Sequence, residues 1–424
     1  MRLAHQVMLR VTRSRAMGFS TSSKKFRFNA FVWGDGTVGQ LGVGAFEKSG
    51  VTQKFTELGP RCIEAFRQNN IDVIKLSLGT THSAAVDASG RVYVWGQGEK
   101  GELGLGETIK EVHEPTLVDL LQEVDIVDIS CGVHHTAAID KEGRMYIWGY
   151  GGTSMSDNAL GIGPSTGKNS TFPQLVETFI DEGVRLKAVD CGDSHTVALS
   201  ADGEIWTWGR GDNGRLGNGE LISLDFPEPV EFFDSMNCVA IAAGRSFSLA
   251  LREDGRVFGW GKNNHFQLGL EGGVLDITNA MERIPIEIRG FEDETVVKIA
   301  AGTEHAAALT ASGKLFVWGS NMWVQPHEIT MLKSKRLVDV SCGDKSTLRL
   351  LRHTDDGTIY SFGKAGIGRS NYLGHYDTNP QPQPKLVEAL SNHFVKSVVC
   401  GYRHMGVLAD VQGAAADSDF SLRE

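Results

Sequence analysis

Three stretches of the chain read Gly-x-Gly-x-x-Gly: Gly34-Gly36-Gly39, Gly96-Gly98-Gly101 and Gly209-Gly211-Gly214. Such a run cradles a pyrophosphate when it closes a strand and opens a helix whose first amides face the phosphate. Leu-Gly and further turn residues follow each one here. They are therefore expected to be turns that need positive φ, not nucleotide sites. Five histidines, His82, His135, His195, His305 and His404, stand at one position of a repeating pattern, where Phe247 and Ser346 replace them elsewhere. Ligands of one metal ion must converge within a few ångströms, whereas equivalent positions of a repeat are dispersed. The expectation is an imidazole hydrogen-bonded to backbone, tying strand to strand at roughly 1 kcal/mol per net bond. His134, beside His135, is unrepeated and reads as a surface contact.

The six cysteines follow the same logic. Cys131, Cys191, Cys342 and Cys400 precede a repeated Gly where other copies have Leu78, Ala243 or Ala301, so they read as small buried apolar residues. No Cys-x-x-Cys spacing suggests zinc or a redox pair. Asn169-Ser170-Thr171 is a glycosylation sequon that would matter only on a secretory route. His-Glu-x-x-His and a Walker lysine are missing from the sequence. No catalytic, cofactor-binding or metal residue is assigned, and the chain is expected not to be an enzyme.

The elements that carry these residues recur. A strand ending in Trp-Gly appears as FVWG (31–34), YVWG (93–96), YIWG (146–149), WTWG (206–209), FGWG (258–261) and FVWG (316–319), with YSFG (360–363) as a seventh copy. A second element, Gly-x-x-His followed by an apolar run, places its Gly at 79, 132, 192, 244, 302, 343 and 401. From that Gly to the next Trp the distance is 16 residues in the first five copies, with a polar Gly-containing turn between. Constant length across a turn implies a β-hairpin of fixed register. The distance from Trp to the following Gly wanders from 25 to 46 residues, which places function on the variable excursions. Four strands per unit and seven units predict an all-β, seven-bladed β-propeller. Its ring is closed by pairing of N- and C-terminal strands, because 31–34 lacks a preceding Gly-His element and 401–404 lacks a following Trp-Gly strand.

Gly-x-x-His-x-x-Ala-Leu, Asp-Gly, Trp-Gly and the Gln-Leu-Gly type (GQLG at 39–42, GELG at 101–104, FQLG at 266–269) resemble the regulator of chromosome condensation repeat family. The resemblance covers about 29–410. It implies the propeller fold and two kinds of role. The founding nuclear member exchanges nucleotide on the small GTPase Ran. Mitochondrial members are associated with organelle GTPases, RNA or ribosome maturation, and respiratory-complex assembly.

Departures from the repeat carry the candidate contacts. Residues 150–172 form a long polar loop; in the Ran exchange factor a loop in a similar region acts as a wedge, and Asp157 and Asn158 are the nearest match. PRCIEAFRQNN (60–70) reads as a short amphipathic helix. The unit after Trp318 is cut short and holds Trp323, then Lys333, Lys335 and Arg336. These suit a protein or RNA partner; alternatively Trp323 packs over the shortened blade and the basic residues are solvated.

Residues 1–28 hold seven Lys and Arg and no acid, hydroxyl-rich and interrupted by Arg too often for a secretory signal. That is the pattern of a mitochondrial presequence. With a net charge of −10 overall, the rest of the chain carries −17, which repels polyanions and leaves nucleic-acid contact only to a local basic patch. No 18-residue apolar run suggests a transmembrane segment. The expected organisation is 1–28 presequence, 29–412 propeller and 413–424 acidic tail of disordered composition. The expected location is the mitochondrial matrix, peripheral to the inner membrane as a variant of that placement. The expected function is a non-catalytic interaction scaffold for ribosome or RNA maturation or respiratory-complex assembly. The alternative is a guanine-nucleotide exchange factor for a mitochondrial GTPase, with Asp157 and His134 as contacts.

Overall fold

A computed structural model describes residues 27–44, 55–152, 159–164, 168–270, 280–291, 293–344, 349–353, 357–363 and 372–410. The fixed hairpin is the centre of each blade. In the blade that opens at Val73, the inner strand Val73–Leu78 pairs with His82–Asp87, which pairs with Val92–Gln97 and then with the outer strand Glu111–Leu117. Every residue of His82–Asp87 is buried, whereas the outer strand is half-exposed. Neighbouring blades cover both faces of the middle strands, so these run apolar without alternation. The constant 16-residue spacing appears as a constant register: His82, His135, His195, Phe247, His305 and His404 face Gly96, Gly149, Gly209, Gly261, Gly319 and Gly34.

The seven-bladed expectation needs correction. Six blades are each woven from four consecutive strands of the chain. The remaining strands do not make a blade of that kind. They form a composite sheet in which Phe28–Asp35 and Thr56–Cys62 from one end join Val395–Cys400 and His404–Asp410 from the other. A count of sequence repeats therefore overstates the count of contiguous blades, because repeats and blades are out of phase at the two ends. Nor is the fold purely β. The connection from outer to inner strand folds as a five-residue helix at Glu64–Gln68, within the stretch read as amphipathic, and again at Glu177–Asp181. Phe66 and Phe179 anchor these helices in the core.

The core lies at the seams between blades. One cluster joins Ala84, Val94, Leu103 and Leu121 of one blade to Ile129, Ala138 and Trp148 of the next. The strand order also defines two faces. Gly-x-x-His turns and the loops after Trp-Gly lie at one end of the disc, the upper face, tied by bonds such as Tyr150 N–H to His134 O. The short polar hairpin turns and the helical connections lie at the other, the lower face, tied by bonds such as Leu186 N–H to Gly143 O.

Candidate functional site

The repeated polar residues meet in the seams. Trp95 Nε1 donates to Gln40 O (2.9 Å), a carbonyl in the preceding blade, and Ser83 Oγ donates to the same oxygen (2.8 Å). His404 Nε2, also of the preceding blade, lies 2.9 Å from that hydroxyl. The arrangement recurs with Glu102 O, Trp148, Thr136 and His82; with Ala159 O, Trp208, Thr196 and His135; and with Arg215 O, Trp260, Ser248 and His195. The histidine partner is thus a Ser or Thr hydroxyl of the next blade, not the backbone expected from sequence. The physical reason is the pleat: the residue after each histidine faces the seam opposite Trp, where only a side chain can bridge to the neighbouring blade.

Proton accounting fixes the tautomer. A hydroxyl has one proton, and here it goes to the carbonyl, so imidazole Nε2–H must donate to the hydroxyl oxygen. Nδ1 is then bare, and in His82, His195 and His404 it is buried with no hydrogen-bond partner. Burial accordingly pushes the imidazole pKa of His82 down to about 4 and those of His135 and His404 to about 3. These rings stay neutral and are not proton-transfer groups at physiological pH.

Among the described residues two seams lack the hydroxyl. In one, Met405 stands opposite Trp33, whose indole still donates to Tyr372 O. In the other, Phe247 replaces the histidine, and across from it the next blade has Ala306 in place of a hydroxyl residue; both are fully buried. Only Trp318 Nε1 remains on the carbonyl of Gln267 (2.9 Å). Polar partner and polar donor are exchanged together, which avoids a stranded buried group. The Leu-Gly element also belongs to the seams. Gly42 has φ +68° and lies against the Trp95 indole, so a Cβ there would sit 2.8 Å from the ring. In the Gly-x-Gly-x-x-Gly runs the outer glycines of the first, Gly34 and Gly39, have positive φ as expected, but the middle one, Gly36, does not. It is needed because the Phe55 ring packs against its Cα.

A channel of about 490 Å³ runs down the axis, lined by the inner strands. It contains charges that the sequence reading passed over. Lys75 Nζ lies 2.5 Å from Asp128, and Lys298 pairs with Asp339 in the same way on another pair of adjacent blades. Asp128 also accepts from Val189 N–H (3.1 Å), Asp339 from Val398 N–H (3.0 Å), and Asp190 from Ala243 N–H (2.8 Å) and Ser130 Oγ (3.0 Å). An inner strand is a sheet edge, and its free amides need acceptors. The channel carboxylates meet that need and carry structure. Burial raises the Asp190 pKa, while the Asp128 carboxylate raises that of Lys75. The alternation VIKLSL, IVDISC, VVKIAA, LVDVSC was the available signal.

The upper face holds a polar pocket of about 330 Å³ walled by Arg210, Asp212, Arg215, Arg245, Lys262 and His265, among others. Arg215 is buried and fixed to Asp212 (2.6 Å), and burial lowers its pKa. Arg245 reaches Asp193 (2.6 Å) across a seam. Sequence reading missed this pocket; its signal was Arg245 inside an Ala-Gly-Arg-Ser-Phe copy of the Gly-x-x-His element.

The predicted contacts do not form one site. His134 lies on the upper face, half-exposed, with Nδ1 3.1 Å from Glu102 Oε1 and its ring edge-on to Tyr150. Burial opposes ionisation of Glu102, yet the hydrogen bond from His134 helps hold its pKa below the ordinary value. Asp157 and Asn158 lie outside the described residues. Trp323 opens the outer strand Trp323–Glu328, stacks on His327 (5.2 Å) and packs against the blade core. Lys333, Lys335 and Arg336 follow the far end of that strand, on the lower face. Lys333 is exposed near Glu328 (3.7 Å), Lys335 lies over the Tyr360 ring (5.8 Å), and Arg336 is exposed beside Gly313. The expected pairing of Trp323 with the basic cluster fails, because a six-residue strand at about 3.3 Å per residue separates them. Among the described residues no group of three His, Cys, Asp or Glu could hold a metal ion, and no helix is long and apolar enough to cross a membrane.

A family model described as an RCC1-like domain matches residues 29–326, and one for the regulator of chromosome condensation (RCC1) repeat matches 356–408. The ultraviolet-B receptor UVR8 of Arabidopsis thaliana is 30% identical over 344 residues, 78% of this chain and 73% of the receptor. The RCC1 domain-containing protein RUG3, mitochondrial, from the same plant is 34% identical over 294 residues, 68% of this chain and 61% of that protein. The human E3 ubiquitin-protein ligase HERC2 is 29% identical over 75% of this chain, which spans only 6% of the ligase. Among solved structures, human WBSCR16 superposes with a TM-score of 0.75 at 22% identity, covering 90% of this chain and 99% of that one. Prp20p of Saccharomyces cerevisiae gives 0.77 at 21%, covering 92% and 94%. At those identities the likeness is one of fold.

Proposed function

The chain belongs to the RCC1-like domain family, and from that premise we propose that it is a non-catalytic interaction propeller of the mitochondrion. Its clients are a ribosome- or RNA-maturation assembly or a respiratory complex under assembly. The observation that carries this reading is the fate of the repeated polar residues. Histidine, hydroxyl and indole groups are spent holding blade to blade, while the loops of the two faces differ from blade to blade in length and composition. Residues 1–28 act as a presequence, 29–412 as the propeller and 413–424 as an acidic tail. The basic, acid-free start of the chain supports that organisation, as does the mitochondrial relative RUG3. Crosslinking in isolated mitochondria before affinity purification tests the proposal. Recovery of ribosomal, RNA-processing or respiratory subunits in a defined stoichiometry is expected; a free monomer alone would contradict it.

A second reading, an exchange factor for an organelle GTPase, is favoured by one feature. His134 and the start of the 150–172 excursion share the upper face with the arginine-lined pocket, and the neighbour Prp20p is described by its binding to Gsp1p and histones. Exchange requires tighter binding to the nucleotide-free than to the loaded GTPase. A single GTPase captured only when nucleotide is stripped away, with faster GDP release in the purified pair, would select this reading.

A further inference from the structure

Taking the interaction-propeller reading as its basis, we infer that the lower mouth of the channel is a docking collar for an apolar partner segment flanked by carboxylates. Every inner strand carries a register shift after its first residue, for example between Val73 and Lys75 or between Leu186 and Ala188. Such a shift is a β-bulge, which leaves one residue unpaired and turns its side chain away from the ladder. Repeated around the ring, the bulges set one residue per inner strand at the lower rim. In ring order these are Lys396, Ile74, Val127, Lys187, Val239, Val297 and Val338.

The composition of the rim is unusual for solvent-facing positions. Val127, Val239 and Val297 are 49%, 45% and 55% exposed, although equivalent bulge positions could hold any polar residue. Further out on the same face, the short connections expose Leu120, Ile180 and Met331. Several exposed apolar side chains repeated on one face, set among polar groups, suit an interaction site. The charges select the partner. The carboxylates just inside the channel, Asp128 and Asp339, are already paired with Lys75 and Lys298. Lys187 and Lys396 make no ion pair among the described residues. Lys187 reaches only backbone carbonyls of Ala201 (3.5 Å) and Cys238 (3.4 Å), and Lys396 lies over the Phe28 ring (4.9 Å). The two lysines stand on separate arcs, with valines between them on both sides. A partner that seats an apolar side chain in the collar brings its flanking carboxylates to these lysines, and the channel behind provides depth.

The test uses the full chain and three fluorescein-labelled peptides, DDFLDD, KKFLKK and DDSSDD, read by fluorescence anisotropy. DDFLDD is expected to bind, and the other two to bind at least roughly tenfold more weakly, about 1.4 kcal/mol. Val239→Asp with Val297→Asp is expected to abolish binding. Lys187→Glu with Lys396→Glu is expected to weaken it several-fold, and Lys187→Arg with Lys396→Arg to retain it. The lysine pairs keep the question decidable if the aspartate pair fails to fold. Equal binding of KKFLKK, or binding untouched by the rim variants, would overturn the inference. So would no binding of DDFLDD at millimolar concentration. Collar-dependent capture on phosphatidylserine vesicles without peptide binding would overturn it in favour of a lipid, and collar-dependent self-association in favour of a second copy. Clients still crosslinked to a chain that ignores the peptides would leave the interaction-propeller reading standing and remove the collar alone.

Discussion

The seams between blades and the rim of the channel are both repeated around the same ring, yet they vary in opposite ways. In the seams the residue types recur because each group satisfies another: indole and hydroxyl share one carbonyl, and imidazole donates to the hydroxyl. Where one member changes, as at Phe247, the partner changes too, to Ala306. At the rim only the backbone recurs. The bulge is present in each inner strand, but its residue is Ile, Val or Lys. A position held by mutual satisfaction tolerates only paired exchange. A position held by backbone geometry is open to whatever a partner requires.

Acid should affect the seams most. The imidazoles titrate in the folded chain at about 3 to 4, below their unfolded value near 6.5. Their contribution is therefore complete above 6.5 and is lost as pH falls from there toward the folded values. At pH 5 the unfolded chain gains roughly 2 kcal/mol per histidine, so His82, His135 and His404 together account for roughly 6 kcal/mol. Urea midpoints measured between pH 7.5 and 5 should fall steeply. A flat profile would show these rings to be reachable by solvent.

Removing a seam indole comes next. Trp148→Ala, at a fully buried position, should cost about 3–5 kcal/mol by denaturant titration. A smaller effect follows from breaking the partnership on one side. Thr196→Ala leaves the His135 N–H buried without an acceptor and should cost about 1–3 kcal/mol. Adding His135→Phe, which copies the Phe247–Ala306 seam, should recover most of that loss. If the two costs simply add, the seam is not a coupled unit. The smallest change is expected on the upper face. Arg245→Ala removes a half-exposed pair with Asp193 and should shift stability by less than about 1 kcal/mol.

Much of the blade was legible in the sequence, because fixed spacing translates directly into register: Gly79 to Trp95 predicts the hairpin in which His82 faces Gly96. Blade counting was less secure, since the chain ends contribute to a composite sheet. The hydroxyl partners of the histidines were hidden for a different reason. His82 and Thr136 are 54 residues apart and meet only when two blades are packed. Local pattern carries no information about such a contact. The same holds for the upper pocket, whose walls come from three blades, and for the rim, where the telling feature is a bulge and not a residue type. Trp323 and Lys333 show the converse: nearness in sequence suggested one patch, and an intervening strand sends them to opposite ends.

The central claim is that the seams hold the fold while the faces hold the function. Its most direct measurement is crosslinked purification from mitochondria of the wild-type chain beside the His135→Phe, Thr196→Ala pair, at matched expression and matched thermal midpoints. The claim predicts the same clients in the same stoichiometry from both. Loss of clients from a fully folded seam variant would contradict it, because the histidines would then act beyond the joining of blades.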